Sequence, residues 1–171
     1  MKTIQHNEAA GKGRADDYEV RTCLPKDLTA DEQAACLDIL TVGGAVDIAS
    51  ARRSFPRSRL VAIARLQGQI VGVGAIKPER PSYAAKVARD HGVTFPRNTL
   101  ELGYVAVHPE HRSNGLSGRL AEAMMAQYKE RLFATTYTDH MKRTLEKAGF
   151  VKKGGEREGR KQNLVSFWEK E

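Results

Sequence analysis

With 171 residues, 40% of them hydrophobic and 29% charged, the chain is long enough to bury one core and has the composition of a folded, water-soluble single domain. Its longest apolar runs, such as Leu60–Ala64 and Ile70–Ile76, are too short to cross a bilayer, which excludes a membrane-spanning role. The net charge is +7, concentrated at Arg52, Arg53, Arg57, Arg59 and Arg65 and again at Lys152, Lys153, Arg157, Arg160 and Lys161. Such clusters fit a solvated surface, a polyanionic cofactor, an acidic protein or nucleic acid alike.

Met1 to Asp17 has no apolar stretch of the secretory kind. Its Gly, Ala, Lys and Asp content reads as a mobile leader over 1–17, ahead of a folded domain over 18–171. Tyr18 to Leu24 alternates and predicts a first strand. Thr29 with Glu32 three residues on is a capping box, and Ala34, Leu37, Ile39 and Leu40 supply the apolar stripe of the helix it opens. Gly43-Gly44 ends that helix, and a second short one is expected over Asp47–Ser54, before Pro56. Cys23 on the strand and Cys36 on the helix sit in apolar surroundings and read as reduced core residues of a cytoplasmic protein. No Cys/His cluster has metal-ligand spacing, so no metal is expected.

Arg59–Leu66 and Gln69–Lys77 form the clearest hairpin, turning at Gln67-Gly68. The connection from Pro78 to Asn98 holds three prolines and an extra helix over Ser82–His91, closed by Gly92. Thr99–Val107 predicts a strand, His108–Gly115 a polar loop, and Leu116–Arg131 a helix with apolar Leu116, Leu120, Ala123, Met124 and Tyr128 on one face. Leu132–Thr138 is the next strand and Met141–Ala148 a helix ended by Gly149. Phe150–Lys153 and Leu164–Trp168 complete an antiparallel pair. This order predicts an α/β fold: a mixed β-sheet with helices on both faces, crossing over through the helix after Val107.

The stretch that carries chemistry is Leu100 to Gln127. A strand runs into a basic, glycine-containing turn and a helix starts at once. The first turn of a helix exposes unpaired N–H groups at the positive end of its dipole, and phosphate binds there when side chains leave the approach open. Gly115 and Gly118 keep the backbone bare, Ser117 is small, and Arg112 and Arg119 add positive charge.

These residues are similar to the signature of the GNAT superfamily of acyl-CoA-dependent N-acyltransferases, Gln/Arg-x-x-Gly-x-Gly/Ala. Here it stands as Arg112-Ser113-Asn114-Gly115-Leu116-Ser117, with Ser117 departing at the last position. The preceding VAVHPEHR, Val105 to Arg112, and the later LEKAGFVKKG, Leu145 to Gly154, also resemble the family's fourth strand and its helix-to-strand ending. The resemblance runs from about Tyr18 to Trp168 and implies a GNAT-like fold with acetyl-CoA as co-substrate and no metal. It implies that Arg112, Ser113, Asn114, Gly115, Leu116, Ser117 and Gly118 hold the pyrophosphate. The backbone of Val105, Ala106 and Val107 would hold the pantetheine arm.

Glu101 lies roughly 20 Å up the strand from Val107, far enough for a long arm to present its thioester there. It shares a strand face with Gly103, which has no side chain to obstruct arm or acceptor. Glu101 is the candidate general base, since an amine attacks only in its neutral form. Family members often carry a tyrosine acid where this chain has Leu145. Tyr137 is the candidate replacement and His140 the other titratable neighbour, unless the thiolate leaves unassisted. The segment Tyr83–Asp90 and the loop Gly154–Lys161 are expected to border either the acceptor or solvent.

The expected reaction is direct transfer of an acetyl or similar acyl group to an amine of a small molecule or protein. A toxin-like or RNA-directed enzyme acting on aminoacyl-tRNA and a non-catalytic acyl-CoA-binding protein are the alternatives. No membrane partner is expected, and a homodimer is left open.

Overall fold

The computed structural model describes residues 13–43 and 46–171. Its strands are β1 (Tyr18–Cys23), β2 (Leu60–Leu66), β3 (Gln69–Ile76), β4 (Leu100–Val107), β5 (Leu132–Thr136), β6 (Val151–Glu158) and β7 (Leu164–Lys170). Its helices are α1 (Ala30–Gly43), α2 (Ile48–Ser54), α3 (Pro81–His91), α4 (Leu116–Gln127) and α5 (Asp139–Lys147). The strands form one seven-stranded mixed sheet in the order β1-β2-β3-β4-β5-β7-β6. Only β4 and β5 are parallel, joined by the crossover through α4, and the remaining neighbours are antiparallel. The α/β class and the element order are as the sequence predicts.

Local chemistry explains most boundaries. Thr29 and Glu32 close the capping box, with the Thr29 N–H donating to Glu32 Oε2 at 2.9 Å and the Glu32 N–H to Thr29 Oγ1 at 3.1 Å. Asp47 caps α2 by accepting from the N–H groups of Ala49 and Ser50. Gln67 and Gly68 both take positive φ, the geometry that lets a two-residue turn follow the twist of β2 and β3.

Several boundaries differ from the predicted ones. Helix α4 stops at Gln127, because Tyr128 is already extended at ψ 113°. Strand β5 stops at Thr136, because Thr138 turns to cap α5 by accepting from the Met141 N–H, so that helix begins two residues early. Strand β6 runs on to Glu158 through charged residues that its position at the sheet edge leaves in water. Of the predicted leader, residues 1–12 lie outside the described residues. Ala15–Asp17 form a helical turn tied to α4, where Arg119 donates to the carbonyls of Ala15 (2.9 Å) and Tyr18 (2.8 Å).

The alternation of side chains along the strands separates two layers. Leu102, Leu132 and Ala134 face a core built with Leu116, Leu120 and Met124 of α4 and Leu145 of α5. On the opposite face Cys36, Ile39 and Leu40 of α1 and Phe55 pack on β2, β3 and Tyr104. On that same face α3 places Ala84 and Val87 over Phe133 and Phe167, with Phe95 stacked between them. Both cysteines are free thiols, as expected. Among the described residues no helix is long and apolar enough to cross a membrane.

Candidate active site

The site begins where the sheet parts. Strands β4 and β5 pair only at Leu100 with Leu132 and at Glu101 with Phe133. Beyond that second rung, among the described residues, the side of β4 facing β5 has no ladder partner as far as Val107. On its other side β4 pairs with β3, where Val73 faces Ala106 and Ala75 faces Gly103. Tyr104 and Val105 therefore stand together against Gly74, a β-bulge in which Tyr104 takes φ 51°. The extra residue puts Tyr104 on the face that Glu101 and Gly103 share, while Val105 packs into the other core.

At the open end lies the predicted phosphate loop. Gly115 caps α4 in the left-handed region at φ 69° and ψ 15°, a conformation that a side chain strains. A Cβ placed on Gly115 or Gly118 would meet no described atom within 4 Å, so both backbones face open space. Ser113 also has positive φ (69°). Asn114 braces the loop from inside, donating to the carbonyl of His111 at 3.0 Å and reaching the Tyr18 hydroxyl at 3.4 Å. Arg112 is exposed; its Nε holds the Val107 carbonyl at 3.3 Å, which leaves the rest of the guanidinium toward solvent. Leu116 is buried and offers only its backbone. Arg119 is corrected: its guanidinium turns away to β1 and does not join the loop.

At the closed end Glu101 is buried, with 8% of its side chain exposed. Lys77, the residue after β3, lies 3.1 Å from Glu101 Oε2 and 4.4 Å from the centre of the Tyr104 ring. Ammonium and carboxylate form a largely buried ion pair. Burial pushes the Lys77 ammonium toward neutrality. The Glu101 carboxylate and then the Tyr83 and Tyr104 hydroxyls outweigh it, and its pKa ends above that of an ordinary lysine. The space over Gly103 is correspondingly not free: a Cβ there would lie 2.5 Å from Lys77 Cε. Gly103 accommodates the lysine rather than an open passage.

Tyr83 completes this end. With Pro78, Arg80, Thr99, Glu101 and Phe133 it lines a cavity of about 10 Å³, the size of one water molecule. The Glu101 charge first, and burial second, hold the Tyr83 hydroxyl protonated beyond the ordinary tyrosine range, against Lys77, Thr135 and Arg157.

The remaining sequence candidates lie elsewhere. Tyr137 follows the end of β5 and is 41% exposed, four residues past the rung at Phe133 and so about 13 Å along the strand from Glu101. His140 sits 3.3 Å from Ser117 Oγ and spans from α5 to the phosphate loop. Leu145 is fully buried in the core on the opposite sheet face. Sequence reasoning passed over Lys77, whose only signal was a charged residue closing an apolar strand.

His108, Glu110 and His111 bring ligand atoms within 4.8 Å of one another, the group of described residues that could hold a metal. One ring nitrogen of each histidine is already engaged, His108 Nδ1 by the Glu110 N–H at 3.2 Å and His111 Nδ1 by the Tyr18 hydroxyl at 3.0 Å. A larger cavity of about 190 Å³, lined in part by Arg21, Cys23, Glu32 and Arg65, lies over β1 and β2, away from the parting strands.

The model of the acetyltransferase (GNAT) family matches residues 27–150, from just before α1 to the start of β6. No curated protein sequence matches the chain. Among similar solved structures, a GNAT family acetyltransferase from Streptococcus agalactiae superposes with a TM-score of 0.65 at 10% identity, covering 88% of this chain and 94% of that one. Escherichia coli ElaA gives 0.63 at 10% identity, over 90% and 99% of the two chains. A GNAT family acetyltransferase from Elizabethkingia anophelis, solved with acetyl-CoA bound, gives 0.58 at 12% identity, over 91% and 99%. These likenesses concern the fold, whereas the family model covers the parting strands, the glycine loop and Glu101 in one continuous match. The chain belongs to the acetyltransferase (GNAT) family, and with it to the acyl-CoA-dependent N-acetyltransferases.

Proposed function

We propose that the protein moves an acetyl or similar acyl group from acyl-CoA directly to an amine, with Glu101 as general base. The observation that carries this reading is a single track: an open glycine loop, then an unpaired strand edge, then a buried carboxylate. Arg112, Ser113, Asn114, Gly115, Leu116, Ser117 and Gly118 would take the pyrophosphate, chiefly through backbone N–H groups, and Val105, Ala106 and Val107 the pantetheine arm. Ser117 and Gly118 fit because α4 starts there with its N–H groups outward.

Direct transfer suits the thiol chemistry of the chain. Cys36 is buried, and that burial pushes its thiol up to about 12, while burial also raises Cys23. Neither supplies a thiolate nucleophile for a covalent intermediate. A small molecule or a protein can provide the amine. The basic clusters speak less for nucleic acid than their sequence suggests. Arg65 is paired with Glu32 at 2.7 Å, Lys152 with Glu156 at 2.8 Å and Lys153 with Glu169 at 3.2 Å.

The test is thiol release from acetyl-CoA in the presence of amines and peptides. Glu101→Gln should lower kcat/KM by about 10²- to 10⁴-fold while acetyl-CoA affinity stays nearly intact. Part of that loss should return as pH approaches the amine pKa near 10.4. A variant with the wild-type rate at neutral pH would remove Glu101 from the mechanism.

A further inference from the structure

We propose that the amine acceptor is carried on an acidic polypeptide, held beside Glu101 by the arginine face of α2 and of the turn after it. The inference rests on the acyl-transfer reading above and names the class of substrate which that reading leaves open.

The face follows from the helical period. From Ile48 to Arg57 the exposed residues are Ala49, Arg52, Arg53, Pro56 and Arg57, a single stripe without an acid. Ala51, Ser54 and Phe55 turn inward. The Phe55 ring lies 6.3 Å from that of Tyr104, which in turn carries the Lys77 ammonium paired with Glu101. Leu100 and Leu102 face the other core, so Glu101 lies on the sheet face that α2 covers.

The arginines also stand at the Glu101 end of the sheet. The Arg59 N–H, two residues after the turn, donates to the Ile76 carbonyl at 2.8 Å, and the Lys77 N–H to the Glu101 carbonyl at 2.8 Å. Arg59, Lys77 and Glu101 are therefore level, and two strand spacings, about 10 Å, separate the chain leaving the turn from Glu101. The glycine loop is at the opposite end of β4, roughly 20 Å away, too far for these arginines to serve a pyrophosphate held there.

Charge chooses the occupant. Among the described residues none of Arg52, Arg53 and Arg57 has a carboxylate partner, whereas Arg21, Arg65, Lys152 and Lys153 all do. An open guanidinium fork suits a carboxylate, which it can hold through two parallel hydrogen bonds. A second copy of this chain, at net charge +7, would be repelled. A single nucleic-acid strand would want rings for its bases to stack on, and Tyr137, the exposed aromatic among the described residues, lies past β5. One amino acid does not span the gap, but about three residues of extended chain do. The preferred substrate thus places Asp or Glu about three residues from the reacting amine.

The test measures thiol release from acetyl-CoA with blocked peptides holding one lysine, flanked by glutamates or by glutamines. Wild type should favour the glutamate peptide about 10-fold in kcat/KM, through KM, since exposed ion pairs remote from the reacting atoms add modest, uniform binding. That advantage should vanish near 1 M salt, where the Debye length is about 3 Å. With Arg52→Glu, Arg53→Glu and Arg57→Glu combined, the preference should reverse toward a lysine peptide flanked by arginines. Fluorescence anisotropy of the labelled glutamate peptide reads the same loss of affinity without turnover. Equal kcat/KM for the glutamate and glutamine peptides in wild type, or a preference that ignores salt, overturns the inference while acyl transfer stands. Tighter arginine-dependent retention of transfer RNA than of the glutamate peptide overturns it in favour of nucleic acid. A wild-type protein that binds acetyl-CoA yet releases no thiol with any amine overturns the acyl-transfer reading and this one with it.

Discussion

The two ends of the parted strands are built on opposite principles. The loop proposed to hold phosphate is one continuous stretch, His108 to Gly118, and would work through backbone, with Gly115 in a left-handed conformation. The Glu101 end is assembled from side chains of Lys77, Tyr83 and Glu101, each on or beside a different element. A backbone site tolerates exchange of its neighbours but not the addition of a side chain. A side-chain site fails one group at a time, and each failure has its own signature.

The sharpest break in that contrast comes from the loop. Gly115→Glu forces a side chain into positive φ and sets a carboxylate where phosphate would sit. Acetyl-CoA binding should fall below detection by calorimetry, whereas Glu101→Gln should bind almost normally. Binding retained in a folded Gly115→Glu protein would dissolve the distinction.

The other end should answer first in stability. Lys77→Met leaves the Glu101 carboxylate buried without its counter-charge, at a cost of about 3 kcal/mol by chemical denaturation. The pH dependence has a definite sign. Lys77 has a raised pKa when folded, so its contribution is complete below the unfolded lysine value of about 10.4. It is lost as pH rises through the folded value. The gap between wild type and Lys77→Met should therefore be constant at neutral pH and close above about pH 10.4. A gap that persists unchanged at the alkaline end would show that the lysine acts by packing alone.

Smaller effects mark the positions that belong to neither end. Leu145→Tyr crowds a filled core and should cost about 1–3 kcal/mol without a gain in rate. Tyr137→Phe should leave kcat within a few-fold of wild type. A hundredfold loss there, with acetyl-CoA affinity preserved, would assign the proton donor to Tyr137.

The same contrast explains what could be read before folding. The capping box at Thr29 and Glu32, the Gln67-Gly68 turn and the β4–α4 loop each depend on residues close in sequence. Short-range spacing reports them faithfully, and the strand–loop–helix order placed Glu101 on a strand as well. Lys77 could not be found in this way, because its partner lies on a neighbouring strand and no periodicity encodes that meeting, and Tyr83 entered only as the start of a segment expected to border acceptor or solvent. Gly103 was misread for the same reason: an absent side chain suggests room, and only the fold shows what fills it. Arg119 looked like loop charge until the segment before β1 claimed it. The charged run after Val151 hid a strand, since edge strands carry polar residues that dilute the period-two pattern.

The parted sheet also has a thermal consequence. Strands β1 to β4 and β5 to β7 share a ladder at just two residue pairs, and between their covering helices His140 and Ser117 make a further link. An extended molecule lying along β4 would act as a surrogate strand, replacing missing rungs and clamping the halves. Occupancy at a hundredfold excess over Kd adds about 2.7 kcal/mol to any folded protein. Here that gain should be felt at the seam first, as slower amide exchange from Gly103 to Val107, so that the molecule is stiffest when charged with its donor.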